Sequence, residues 1–185
     1  MPDWPHSPLH RLDSRGTYMV TAGTYRKAPF FGTSERLTFL QKQLFVLCAE
    51  HSTALQAWAI FPNHYHLIAR LERPSDLRVL VQHFHSVTAR ELNRLDGVAG
   101  RKIWFQYWDS QIFYQKSYFA RLRYVHENAV RHGIVARAAN YAWCSAGWFE
   151  RKAIPGFRKT VLAFPCESLQ VPDEFPVSAE QIKSE

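Results

Sequence analysis

The sequence predicts an α+β domain of the ferredoxin-like kind, an antiparallel sheet with helices packed on one face. Three observations predict it. Segments with strand and helix character follow in the order strand, helix, strand, strand, helix, strand, helix, which makes two βαβ-like halves. The helical stretches carry apolar residues at three- and four-residue steps. The strand stretches are rich in β-branched and aromatic residues.

Each element is legible in turn. Thr17–Tyr25, TYMVTAGTY, reads as the first strand. Ser34–Glu50 places Leu37, Leu40, Leu44 and Leu47 on one helical side, with Ser34 as the expected N-cap. Ala54–Phe61 and His64–Leu71 are two strands joined through the turn pair Pro62-Asn63. Ser75–Leu95 is a second amphipathic helix, with Leu77, Leu80, Val81, Phe84, Val87 and Thr88 along one side. After the glycine-punctuated loop DGVAGRK, Ile103–Phe113 is an aromatic strand, from which most of Trp104, Phe105, Tyr107 and Trp108 are expected in the core. Ser117–Arg131 is a third helix, ending near Gly133, which suits a left-handed position. The segment YAWCSAGWF within Ala139–Phe149 is apolar enough to pack back on the body. From Ile154 onward, four prolines and little periodicity predict irregular chain. The expected organisation is an N-terminal extension over 1–15, one domain over 16–150 and an acidic tail over 151–185.

Composition narrows the function classes. The 185 residues carry 23 Lys and Arg against 16 Asp and Glu. Arg70 to Arg137 holds 12 basic against 6 acidic residues, whereas Cys166–Glu185 holds five acidic residues and one lysine. A basic middle attracts a polyanion, and an acidic tail can fold back over it and damp activity. No long uncharged apolar run predicts a membrane span, and the N-terminus lacks the apolar stretch of a signal peptide. Three scattered cysteines lack the paired spacing of a structural zinc site and fit a reducing, cytoplasmic location.

The candidate chemistry begins at FPNHYHLIARL. Strand residues two apart share a face, so His64 and His66 stand together about 7 Å apart at Cβ, with Tyr65 opposite. Such a pair can hold a metal ion or can be two polar positions on a solvated face. His83 and His85 have the same spacing on a helix, where residues two apart diverge by roughly 200° and cannot converge on one ion. In the third helix, RLRYVHEN places Tyr124 and Asn128 four apart, on one side. Asn offers a carbonyl oxygen to a two-histidine site, and a tyrosine beside the ion is a possible nucleophile. Arg121, Arg123 and Arg131 would favour phenolate and hold phosphate. A core-edge tyrosine and a helix-end asparagine explain the same two residues without chemistry. Arg90 and Arg94 share a helix side and suit phosphate contacts or solvent equally. His126, two residues from Tyr124, lies on another side and is not expected to be a ligand.

Taken together and in this order, the stretches FPNHYHLI, SVTARELN with GRKIWFQYWDS, RYVHENAVRHGIV and ANYAWCSA resemble the single-tyrosine HUH transposases. The branch they resemble is that of the REP-associated tyrosine transposases, whose patterns are PNHxHLL, YIxxNPVxAGLV and Y-x-W-S-S. The resemblance covers about Gly16 to Phe149. It implies an enzyme that nicks and rejoins single-stranded or hairpin DNA through a covalent 5′-phosphotyrosine, with a catalytic helix near the C-terminal end of the core. It implies Tyr124 as nucleophile and His64, His66 and Asn128 as ligands of Mg²⁺ or Mn²⁺. It implies no obligate protein partner and a monomer or homodimer. The chain departs from the pattern at Tyr65, at Ala129, at Cys144 and at His132, which stands where a small residue is usual. A non-catalytic hairpin-DNA-binding protein derived from such an enzyme, or a hydrolase using water, are the alternatives.

Overall fold

The computed structural model of the chain describes residues 15–73 and 75–183. The N-terminal extension expected over 1–15 lies, but for Arg15, outside them. The elements are β1 (Gly16–Thr24), α1 (Ser34–Glu50), β2 (Ala54–Ile60), β3 (His64–Leu71), α2 (Ser75–Leu95), β4 (Trp104–Ile112), α3 (Gln115–Arg131), α4 (Ala146–Lys152) and α5 (Pro155–Ala163). The strands form one antiparallel sheet in the order β2-β3-β1-β4. That is the ferredoxin-like order, in which β3 and β1 are central.

The register of the two central strands follows from their alternation. Tyr18, Val20 and Ala22 of β1 and Tyr65, Leu67, Ala69 and Leu71 of β3 point to one face. There they meet Leu37, Leu40, Leu44 and Leu47 of α1 and Leu77, Leu80, Val81 and Phe84 of α2. The expectation of helices on one face holds for α1 and α2 alone. The second face, bearing Met19, Ala57, Ala59 and Ile68, is covered by α3, α4 and the C-terminal segment. The reason is visible in β3, where every residue but Arg70 is buried, so both of its faces need a covering layer.

Three local readings are corrected. The N-cap of α1 is Thr33, whose hydroxyl accepts from the Arg36 amide at 3.3 Å, while Ser34 donates to Glu35. The stretch after Ile154 opens with a helix, because Pro155 sits in the first turn, where its missing N–H costs nothing. Of the aromatic strand, Trp104 is core, and the three others are only partly buried. Gly133 does take the left-handed conformation, at φ 68°.

Residues 141–145 pack back as expected and dress the edge of β2. The Ser145 amide donates to the Trp58 carbonyl at 2.8 Å, and the Ile60 amide donates to the Trp143 carbonyl at 3.0 Å. These bonds occupy an edge that would otherwise invite another strand. The buried Tyr141 hydroxyl adds a bond to the Ile60 carbonyl at 2.8 Å. The three cysteines are free and buried, and burial pushes the Cys48 and Cys144 thiols up to about 12. Among the described residues, no helix is long and apolar enough to cross a membrane.

Candidate metal and tyrosine site

His64 and His66 leave β3 on the face that α3 covers, and both side chains are fully buried. Their rings are 5.1 Å apart at 75°. Each has its Nδ1 engaged. His64 Nδ1 is 2.8 Å from the Asn63 amide oxygen, which only accepts, so this nitrogen carries the proton and Nε2 presents its lone pair. His66 Nδ1 is 2.7 Å from the Thr21 hydroxyl on β1. Asn63 is itself held, its amide donating to the Lys27 carbonyl at 3.2 Å and the Pro176 carbonyl at 2.9 Å. A partner on one ring nitrogen is how proteins aim the other at a metal. Burial first, and then the neighbouring His66, pushes the His64 pKa well down, which keeps the ring neutral and able to ligate.

α3 brings Tyr124 and Asn128 to the same point, as their spacing of four predicts. The Tyr124 ring stands edge-on to His66 at 5.5 Å, and the Arg131 guanidinium lies over it at 5.0 Å. The structure supplies two further groups. Asp173, from the C-terminal segment, receives hydrogen bonds at Oδ2 from the Tyr124 hydroxyl and, at 2.9 Å, from the Asn128 amide. Its Oδ1 lies 3.4 Å from His64 Nε2, 3.3 Å from His66 Nε2 and 3.4 Å from His132 Nε2. Those separations are long for hydrogen bonds.

Five buried polar atoms therefore converge without a hydrogen-bond partner: Nε2 of His64, His66 and His132, Oδ1 of Asn128 and Oδ1 of Asp173. An unpaired buried polar group costs about 1–3 kcal/mol, so so many at one point asks for a shared partner. A cation would engage those of them that lie within one ion's reach. Ligand atoms of His64, His66 and Asp173 lie within 4.8 Å of one another, close enough for one ion.

The electrostatics of this arrangement oppose attack by Tyr124. Burial, then the charge of Asp173 and its hydrogen bond, raise the phenol pKa well above 10, outweighing the guanidinium of Arg131. Burial also works against ionisation of Asp173, but the neighbouring His132 and His66 outweigh it and hold the carboxyl far below its usual range.

The tail is anchored beyond Asp173. Phe175 stacks on His64 at 4.7 Å and 10°, while Phe61 stacks on the opposite side of the same ring at 4.5 Å and 16°. Phe175 fits because β1 has glycine at position 23, where an added Cβ would stand 2.2 Å from the ring. Farther on, the Lys183 amide donates to the Gly32 carbonyl at 2.9 Å beside the start of α1.

The other basic candidates sit elsewhere. Arg123 is held by Glu127 at 3.0 Å and by the Phe164 carbonyl at 2.9 Å. Arg121 is half-buried, donates to Ser117, and lines a cavity of about 200 Å³ with Thr21, Trp108 and Pro172. Arg90 and Arg94 belong to α2 on the far side of the sheet, where Arg94 grips Glu91 at 2.7 Å. The second histidine pair does not converge. His85 stacks on Trp104 at 4.4 Å and bonds the Tyr65 hydroxyl at 2.9 Å, whereas His83 faces His51 at the surface. His126 stacks on Phe149, away from the site.

His132 and Asp173 are the residues that sequence reasoning missed. A signal existed for His132, since 124, 128 and 132 are successive steps of four along one helical side. For Asp173 the only signal was the acidity of the tail.

Comparison with known proteins adds three findings. The family model described as "Transposase IS200 like" matches residues 16–130. A solved structure titled as a REP-associated tyrosine transposase bound to a REP hairpin superimposes with a TM-score of 0.61 at 19% identity, covering 92% of this chain and 96% of that one. No curated protein matches the chain.

Proposed function

The chain belongs to the IS200-like transposase family, and from that premise we propose that it nicks and rejoins single-stranded or hairpin DNA with Tyr124 as nucleophile. The observation that carries this reading is the convergence of unpaired His64 Nε2, His66 Nε2 and Asn128 Oδ1 beside the Tyr124 hydroxyl. The hairpin-bound relative of the same fold supports a hairpin-bearing substrate and a place in the REP-associated branch.

His64, His66 and Asn128 would hold a divalent ion, Mg²⁺ or Mn²⁺, and the donor set fits because each offers a buried nitrogen or oxygen atom without a hydrogen-bond partner. When bound, such an ion polarises the scissile phosphate as a Lewis acid. The protein's own residues do the rest. Asn63 and Thr21 fix the two imidazoles. Tyr124 Oη attacks phosphorus, forming the phosphotyrosine bond as the bond to O3′ breaks and leaves a 3′-hydroxyl. The phenolic proton must depart, and Arg131 over the ring lowers the cost of the developing phenolate. Attack by a 3′-hydroxyl on the phosphotyrosine reverses the step, so rejoining needs no external energy source. Arg131 and Arg121, two of the basic residues on the site's side of the sheet, are well placed to meet DNA phosphates.

A second reading concerns the tail, and Asp173 favours it. A carboxylate on the Tyr124 hydroxyl, amid the same imidazoles, occupies the place of a substrate phosphate. The docked tail is then a closed state that DNA or tail release must open.

The test is to incubate the full chain with labelled hairpin-bearing single-stranded DNA and Mn²⁺, then run a denaturing gel. A covalent adduct lost in Tyr124→Phe is expected. Cleavage that survives Tyr124→Phe would instead make the protein a water-using hydrolase. Binding without cleavage, even when Asp173 is replaced, would make it a non-catalytic hairpin binder.

A further inference from the structure

We propose that the cavity bounded by α3, α4 and α5 binds a mononucleotide unit, with the base against His126 and Phe149 and the phosphate at Arg158. The cavity lies on the other side of α3 from Tyr124, since His126 is two residues further along the helix, a rotation of roughly 200°. Most of its lining comes from beyond residue 130, where the family match ends. It stands apart from the tyrosine chemistry and gives the chain a second binding site.

A buried imidazole without partners carries the inference. His126 is only 1% exposed, and neither of its ring nitrogens has a hydrogen-bond partner. Burial lowers its pKa to about 4, so the ring is neutral and offers one N–H donor and one lone pair. Buried polar atoms left unmet are costly, and a ligand that meets one of them removes that cost. The cavity that this ring lines has room for such a partner, at about 360 Å³. That volume is at the small end of the range for small-molecule sites, which suits one nucleotide and is too small for a dinucleotide.

The walls select a flat, hydrogen-bonding ring. His126 stacks on Phe149 at 4.3 Å and 27°, while Ala138 and Ala146 keep the neighbouring walls small and apolar. A nucleobase edge carries donors and acceptors that either imidazole nitrogen can meet, and its faces suit apolar and aromatic walls. The rim is charged, and its charges are unequally engaged. Glu127 pairs with Arg123 at 3.0 Å, and Glu150 pairs with Arg137. Arg158 is half-buried, donates to the Glu150 carbonyl and has no carboxylate partner among the described residues. It is thus the unneutralised charge of the cavity, and a guanidinium with donors to spare is matched by a phosphate. The same unit can come as a free nucleoside monophosphate or as one nucleotide of a DNA strand.

The experiment titrates the full chain by calorimetry with each of the four 2′-deoxynucleoside 5′-monophosphates, in chelator so that no metal at His64 and His66 takes the phosphate. At least one should bind saturably with a Kd below about 1 mM. His126→Phe, which keeps the stack on Phe149, and Arg158→Met should each weaken that binding at least about tenfold. Arg158→Met should also erase the preference for the nucleotide over the deoxynucleoside that lacks its phosphate. In nitrogen NMR spectra of the native chain, the His126 ring resonances should shift on saturation. No saturable binding by any of the four, or binding that both variants leave intact, would overturn the proposal and leave a water-filled cavity. Prior saturation with hairpin-bearing DNA distinguishes the two sources. Displacement of the mononucleotide assigns the site to a nucleotide of the strand, and undiminished binding assigns it to a free nucleotide. Tyr124→Phe should bind nucleotides as the native chain does while losing the adduct, so failure of one reading leaves the other standing.

Discussion

The hydroxyl of Tyr124 is donated to the carboxylate of Asp173, a residue forty-nine positions further along the chain. That bond ties the proposed nucleophile to the tail, and what the tail does to Tyr124 can be measured.

Replacing Asp173 with alanine removes the acceptor and the negative charge that raise the Tyr124 pKa. Adduct formation with hairpin-bearing DNA and Mn²⁺ should rise at least about tenfold, on the scale of the 1.4 kcal/mol that one lost charged hydrogen bond represents. DNA affinity at low salt should rise as well. Unchanged rate and affinity would mean that the tail does not obstruct the site.

Gly23→Ala should reach the same outcome without touching the site's own groups. Its Cβ would lie 2.2 Å from the Phe175 ring, which must therefore leave its place against His64. Position 23 is in extended chain at the end of β1, so alanine is tolerated by the backbone. Limited proteolysis should show the segment around Phe175 cut faster while the body resists. A tail as protected as in the native chain would contradict the packing described here.

Asn63→Ala should weaken metal binding although Asn63 is not a ligand. It removes the acceptor that sets the His64 tautomer and also the anchor of the Pro176 carbonyl. Outer-shell losses of this kind cost about 10–100-fold in affinity. Calorimetric titration with Mn²⁺ checks it, and Thr21→Val, which removes the His66 partner, should behave alike.

Stability should fall in mild acid for a reason unconnected with catalysis. Burial lowers the His85 pKa to about 3 and that of His126 to about 4, against 6.5 for a free ring. Between the folded and unfolded values the unfolded chain binds more protons, so stability declines as pH drops below about 6.5. At pH 5 each group contributes a loss of about 2 kcal/mol. The urea midpoint should therefore be lower at pH 5.0 than at pH 7.5. His126→Phe, which keeps the stack on Phe149, should shrink the difference. Equal slopes in the variant and the native chain would show that His126 does not titrate on unfolding.

How much of this was legible in the sequence depends on the range of the contacts. The limits of α1, β3 and α2 were read to the residue, because helix and strand periods are set by neighbours a few positions apart. The same periods put His64 beside His66 and Tyr124 beside Asn128 and kept His83 and His85 apart. They also held His132 in line with Tyr124 and Asn128, but only position in space gave that alignment a meaning. Pro155 was misread as a breaker, since proline's effect depends on whether it falls in a helix's first turn.

What the sequence by itself determined is the set of local faces: two imidazoles on one side of a strand, and a tyrosine and an asparagine on one side of a helix. The tertiary structure alone decided that those two faces meet, because β3 is central and needs cover on both sides. It also decided that Asp173 and Phe175 close over them. Those contacts join residues 45 to 113 positions apart, and no periodicity along the chain encodes a distance of that kind.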